Sequence, residues 1–304
     1  MSGGEDKITS WFASQSAAPE GLFPIGIGDD MAQVAVEGGS VLVTTDMLLD
    51  GVHFDLSSAS FEEVGYKAMA ASLSDCAAMA TIPVCAVCAV ALPKGTDAAS
   101  LKQLHDGITR AGDMFGCYLI GGEITSWSGD GRFAVNVTML SKPGKSLPVR
   151  RDGARAGDVI CVTGSLGGAI KGRHLSFVPR VNEALRIVEI ATVSAMMDIS
   201  DGISTDLKRI CDQSGVGAQV FAESLPVSEA AAGESDPVSC ALNDGEDFEL
   251  LFTLKADEYE KLAAAWDMDT PVSKIGVVNE QDNITILTQA GEINTLAAKG
   301  YDHL

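Results

Sequence analysis

The stretch SKPGKSLPVRRDGARAGD, residues 141–158, constrains the fold most. It gathers proline, glycine and basic side chains in a chain whose formal net charge is −21. A segment of this composition reads as an exposed linker between two folding units. The boundary is expected near 142–150, dividing residues 1–145 from 146–304. On either side, strand-like runs alternate with helix-periodic ones, which predicts an α/β class. Before the break, residues 41–45 read as a strand ending at Asp46. Residues 61–80 read as a helix with Val64, Met69, Leu73 and Met79 inward, and residues 82–92 as the next strand. Residues 97–115 read as a second helix carrying Leu101, Leu104, Ile108 and Ala111 on one face. A brief strand at 118–120 runs into Gly121 and Gly122, and another spans 133–140. After the break come a strand at Val159–Thr163, a glycine-rich turn at 164–168, and further alternation. Residues 230–237 are small and polar and read as a surface loop.

The acidic balance disfavours nucleic acid and anionic membrane surfaces as partners, because both need clustered Lys and Arg. The N-terminus MSGGEDKITSWFASQ has no apolar core of a secretory signal. The apolar run 82–93 is too short to span a bilayer. Seven cysteines, an odd number scattered through apolar surroundings, suit a reduced cytoplasmic protein. Cys85 and Cys88 form a C-x₂-C without a second pair, and that run reads as a buried strand.

Acidic residues recur directly after apolar runs in turn contexts: Asp29 and Asp30 in GIGDDM, Asp46 in VTTDM, Glu123 in GGEIT, Asp198 and Asp201 in MMDISDG. One such acid is ordinarily a turn or cap residue; so many together point to shared chemistry. Asp75, in SLSDCAAMA, lies inside an otherwise apolar helix, where a carboxylate needs a partner. Basic residues are few beside these motifs, so metal ions are expected as the partners, with Thr44 and Thr45 as added oxygen ligands. Hard cations such as Mg²⁺ take carboxylates together with substrate phosphates. There is no Walker A motif, no nucleophile elbow, no H-E-x-x-H and no Rossmann fingerprint. GSLGGAIKG is either a strand-to-helix turn or a direct phosphate contact.

GIGDD, TTDMLLDGVHF, LSDCAAMA, GGEIT, MDISDGISTDL, DGEDFELLF and the ending GYDHL occur in this order across nearly the whole chain. The series resembles the thiamine-monophosphate kinases, of the superfamily that includes aminoimidazole ribonucleotide synthetase. The resemblance implies a two-domain, aminoimidazole ribonucleotide synthetase-like α/β (α+β) fold of mixed sheets packed with helices, whose first domain pairs with its copy in a homodimer. It implies transfer of the ATP γ-phosphoryl group to thiamine monophosphate, giving thiamine diphosphate and ADP. By motif, Asp30, Thr44, Thr45, Asp46, Asp75, Asp198 and Asp201 would hold several Mg²⁺ ions, with Glu123 beside them. Gly122, Glu123, Arg151 and Ser200 would meet ATP or its metals. His53, Glu246 and Tyr301 would meet the thiamine substrate, Tyr301 either stacking on a thiamine ring or serving as a packed C-terminal anchor. The family usually has Asp where this chain has Glu123, and Thr where it has Ile124, a departure that bears on metal position.

The acceptor is a phosphate monoester whose second ionisation lies near pH 6, so no general base is expected. Alternatives are another ATP-dependent enzyme of the superfamily, or a non-catalytic thiamine phosphate-binding protein. A selenophosphate synthetase is disfavoured because no Cys precedes Cys76.

Overall fold

The computed structural model describes residues 21–301 together with Lys7, Ser10, Trp11, Ala13 and Ser14. His303 of the GYDHL ending and most of the N-terminal stretch lie outside these residues. Five strands, β1 (Ala32–Val36), β2 (Gly39–Leu49), β3 (Thr81–Leu92), β4 (Tyr118–Ser126) and β5 (Ala134–Pro143), form a sheet in the order β1-β2-β5-β3-β4. All neighbours are antiparallel except β3 and β4. Seven more, β6 (Val159–Thr163), β7 (Val193–Asp198), β8 (Gly217–Phe221), β9 (Leu250–Leu254), β10 (Val272–Asn279), β11 (Ile284–Leu287) and β12 (Ile293–Thr295), form a second mixed sheet, β12-β11-β8-β10-β6-β9-β7. The longer helices are α1 (Phe61–Ala78), α2 (Ala98–Asp113), α3 (Val181–Ile190) and α4 (Ile203–Ser214), followed by α5 (Glu229–Ala232), α6 (Pro237–Asn243) and α7 (Ala256–Ala265).

Helix α1 starts where Ser60 and Glu63 form a reciprocal capping box, a device contributing about 1 kcal/mol. It is buried on nearly every side, Val64, Met69 and Leu73 completely so. It packs on β2, β3 and β5 of the first sheet and on β7 and α3 of the second half, so it has no solvent face to make polar. Its crossing with α2 is close because two positions lack a Cβ. One added at Gly65 would stand 2.1 Å from the Leu104 carbonyl oxygen, and one at Gly107 would stand 1.9 Å from that of Glu62. One apolar cluster runs continuously from Leu42, Leu73 and Val137 to Cys161, Met196 and Phe252. A second, around Ile160, Ile199, Leu207 and Ile210, fills the other face of the seven-stranded sheet. Strands β6 and β9 are therefore buried throughout.

Several elements run longer than their sequence suggests. Strand β2 does not end at Asp46 but continues to Leu49, because β5 keeps pairing with it as far as Ala134. Strand β4 extends to Ser126 along β3, and β5 extends to Pro143, opposite Thr81. Residues 230–237 are not only loop: α5 ends and α6 begins there, the latter capped by the Asp236 side chain. Cys85 and Cys88 lie in β3, and all seven cysteines are free. No helix of the described residues is long and apolar enough to cross a membrane.

Candidate active site

Asp30 precedes β1, Asp75 lies in α1, and Asp198 ends β7. Each offers a carboxylate oxygen, and the three oxygens lie within 4.8 Å of one another. Asp46 on β2 turns its side chain towards α1, where Ser72 donates to it at 2.5 Å. Thr44, two residues earlier on the same strand face, donates to Asp75. Ser74 donates to Asp198 at 2.6 Å. Three hydroxyls thus serve three carboxylates. Burial first, and then the charges of Asp46, Asp198 and Asp30, push the Asp75 carboxyl well above the ordinary carboxylate range. Asp198 is raised well above it by burial and by Asp30, and Asp46 is raised by burial and again by Asp30. Such crowding is relieved by a cation.

The expectation that basic residues are too few to serve as partners needs correction at two acids. Arg151 reaches Asp30 with Nη2 at 2.7 Å and Nε at 3.0 Å. Arg209 of α4 lies 2.6 Å from Asp201 and 2.9 Å from the buried Asp206. Arg151 comes from a segment distant in sequence, whereas Arg209 lies eight residues after Asp201 and three after Asp206. Asp29, beside Asp30, accepts the Arg151 backbone N–H at 2.8 Å.

Two cavities flank the acids. The larger, about 870 Å³, is lined by Gly28, Asp29, Arg151 and Arg209, together with Ser200 and Asp201. The smaller, about 550 Å³, is lined by Asp46, His53, Glu246 and Tyr301, and again by Ser200 and Asp201. Ser200 and Asp201 are therefore a shared wall. His53 is half-buried, its Nδ1 accepting the Leu49 N–H at 3.0 Å. Tyr301 is half exposed, and its N–H donates to the Asp201 carbonyl at 3.2 Å. Glu246 adopts φ 69°, uncommon for a residue with a Cβ, with its N–H held by the Ser200 carbonyl at 2.7 Å. The other acids of the GEDFEL element turn inward. Asp247 takes the Gly167 N–H at 2.7 Å and meets Arg173 at 2.8 Å, while Glu249 is clasped by Arg173 and Arg180. Asp244 takes the Gly168 N–H at 2.9 Å. The glycine-rich turn thus spends the Gly167 and Gly168 N–H groups on carboxylates, as a structural turn does.

Three expected residues stand apart from this cluster within one chain. Thr45 points to the opposite face of the sheet from Asp46, its hydroxyl 2.9 Å from that of Thr138. Gly122 and Glu123 lie on β4, the far edge of the same sheet. The Cα register runs Glu123–Ala89–Asn136–Met47, three strand spacings or roughly 14 Å across. Sequence reading passed over Arg209 and Lys67. Lys67 carries the signal that singled out Asp75, a charge inside an apolar helix; Arg209 has its own signal, eight residues after Asp201 on a short amphipathic helix.

Two family models match the chain: AIR synthase related protein, N-terminal domain, over residues 28–142, and the corresponding C-terminal domain over residues 155–288. The chain belongs to the AIR synthase related protein family. Within that family its similarity is to thiamine-monophosphate kinases. The one from Rhodopirellula baltica is 34% identical over 292 residues, covering 92% of this chain and 91% of that protein. The Bacillus subtilis one is 30% identical over 307 residues, covering 92% and 93%. The solved structure of AaThiL complexed with AMPPCP and TMP matches with a TM-score of 0.83 at 28% identity, covering 99% of this chain and 97% of that one. The family's two-domain α/β fold of mixed sheets is the fold described above.

Proposed function

We propose that this chain is a kinase that transfers the γ-phosphoryl group of ATP directly to thiamine monophosphate, giving thiamine diphosphate and ADP. One observation carries the reading. Two cavities share Ser200 and Asp201 as lining, with Asp29 on the larger and Asp46 on the smaller, and Asp198 of the carboxylate cluster lies two residues before the shared pair. That arrangement suits two phosphorylated substrates meeting end to end. The thiamine-monophosphate kinase relatives, and the likeness to a structure holding AMPPCP and TMP, support the choice of substrates.

The donor set fits Mg²⁺. Its oxygens are hard ligands, and hydroxyl donors alone leave most of the negative charge of Asp46, Asp75 and Asp198 uncompensated. Asp30, Thr44, Asp46, Asp75, Asp198 and Asp201 would hold several such ions. Bound there, Mg²⁺ supplies charge neutralisation for the two substrates' phosphates. The protein's own task is positioning. Arg151 and Arg209 line the larger cavity, where a nucleotide's phosphates would lie, with Ser200 at its inner end. Glu246, His53 and Tyr301 hold the organic part of the acceptor, the Tyr301 ring facing a cationic thiazolium. No residue needs to act as base, because the attacking phosphate oxygen is already ionised near neutral pH.

The chain divides on this reading into a metal- and ATP-binding domain, 1–145, and a domain completing the substrate site, 146–304. It forms a homodimer in the cytoplasm; its seven free cysteines suit a reducing compartment. The exposed Met47 of the open sheet face and Tyr118, Ile120 and Ile124 of the edge strand are the apolar surface for a second copy. Across such a dimer Thr45, Gly122 and Glu123 of one copy can complete the site of the other. ADP release on adding thiamine monophosphate to protein, ATP and Mg²⁺ tests the function; no release above the ATP-only background overturns it.

A further inference from the structure

Lys67 is a fully buried lysine in the middle of α1. Its ammonium has three close partners. Nζ donates to the His53 carbonyl oxygen at 2.5 Å and to His174 Nδ1 at 2.9 Å, and it stands 2.5 Å from Glu246 Oε2. Its partners come from three separate segments: the loop after β2, a single turn at Arg173–Leu175, and the loop before β9. Two of them, His53 and Glu246, line the smaller cavity, which Lys67 itself does not reach. Burial and the lysine's charge lower the His174 pKa to about 4, so His174 is a neutral acceptor at working pH. Burial lowers the Lys67 pKa, and Glu246 works against that. The adjacent Tyr66 hydroxyl donates to the Phe177 carbonyl at 2.8 Å, so α1 grips the second half of the chain at consecutive residues.

We infer that Lys67 is a positioning residue for the acceptor substrate, fixing the Glu246 carboxylate and the His53 loop that shape the smaller cavity. This rests on the proposed function. Glu246 has a left-handed backbone, which the chain does not favour by itself. A cation 2.5 Å from one oxygen restricts the orientations open to this part-buried carboxylate. Lys67 stands against Oε2 and so fixes how this carboxylate is presented at the cavity wall that it lines. The His53 carbonyl is drawn inward by the same ammonium, which sets where that ring stands. The larger cavity shares neither of these residues.

The test is steady-state kinetics on Lys67→Met, Glu246→Gln and the double variant, with melting temperatures measured alongside. Lys67→Met is expected to raise KM for thiamine monophosphate at least about tenfold, with KM for ATP changed less than about twofold. The double variant is expected to be no worse than the poorer single one, since Lys67→Met already releases the carboxylate that Glu246→Gln alters. Should Lys67→Met fail to fold, the double variant, which leaves no unpaired carboxylate behind, takes its place; a KM for thiamine monophosphate at least that of Glu246→Gln, with KM for ATP changed less than about twofold, then supports the inference, and a lower one overturns it. Equal losses for both substrates, no change in either KM, or effects that multiply in the double variant overturn it. A wild-type protein that releases no ADP with thiamine monophosphate overturns the functional reading and this assignment with it. An active wild type with the wrong variant profile overturns the assignment of Lys67 alone.

Discussion

Glu123 and Asp46 lie on opposite faces of the five-stranded sheet with two strands between them. No rotamer of a glutamate spans that separation. If both serve one active site, they serve it from different copies. Glu123→Lys and Asp75→Asn should each be nearly inactive as pure proteins. Mixed in equal amounts and allowed to exchange subunits, they should regain about a quarter of wild-type activity, because half of the dimers then carry one intact site. Activity that stays at the level of the separate variants speaks against a site shared between copies.

Asp46→Asn and Asp75→Asn should each lower turnover by roughly 10²–10³-fold, the scale for losing one group that stabilises transition-state charge. Neither should unfold the protein. Burial and neighbouring acids raise both carboxyls, so removing one charge relieves repulsion in metal-free protein. A thermal melt and an ADP-release assay on the same preparations decide the matter; near-normal turnover in both variants removes these acids from the site.

The same raised carboxyls fix the sign of a pH effect. Asp75 and Asp198 are pushed well above their unfolded values by burial and by neighbouring acids, and Asp206 is raised to about 7, chiefly by burial. At these three groups the folded state therefore binds more protons than the unfolded state above about pH 4. In EDTA, stability should fall as pH rises from there through 7 and beyond. Mg²⁺ favours the deprotonated forms, so it should raise the melting temperature more at pH 8 than at pH 5.5. A melting temperature in EDTA that climbs from pH 5.5 to 8 contradicts this.

Unphosphorylated thiamine should not be a substrate. Its hydroxyl needs a base, and of the groups lining the smaller cavity the proposed site commits Asp46 and Asp201 to Mg²⁺ and His53 and Glu246 to the organic part of the acceptor. Equal rates of ADP release with thiamine and thiamine monophosphate count against direct transfer to an ionised phosphate.

Much of this molecule is legible in its residues, and the exceptions share a cause. The helix over 61–80 shows in Val64, Met69 and Leu73 and in the Ser60–Glu63 box. Asp75 shows because a lone acid in such a helix is anomalous. What sequence conceals is pairing over distance. Strand β2 passes Asp46 because β5, ninety residues later, offers partners down to Ala134. Arg151 finds Asp30 across 121 residues, and nothing local to either announces it. GEDFEL shows three acids alike, yet only burial tells Glu246, which faces a cavity, from Asp247 and Glu249, which neutralise arginines. Thr44 and Thr45 look equivalent in one dimension, and strand alternation sends them to opposite faces.

The wall made by Ser200 and Asp201 has a consequence for inhibition. These two residues line both cavities, the one proposed for a nucleotide and the one proposed for a vitamin phosphate. A single molecule with adenosine at one end and thiamine at the other, tethered by a phosphate chain, would seat its second half at an effective concentration of about millimolar once the first is bound. Its tightest tether length would read out, as a ruler does, how far apart the two ends rest.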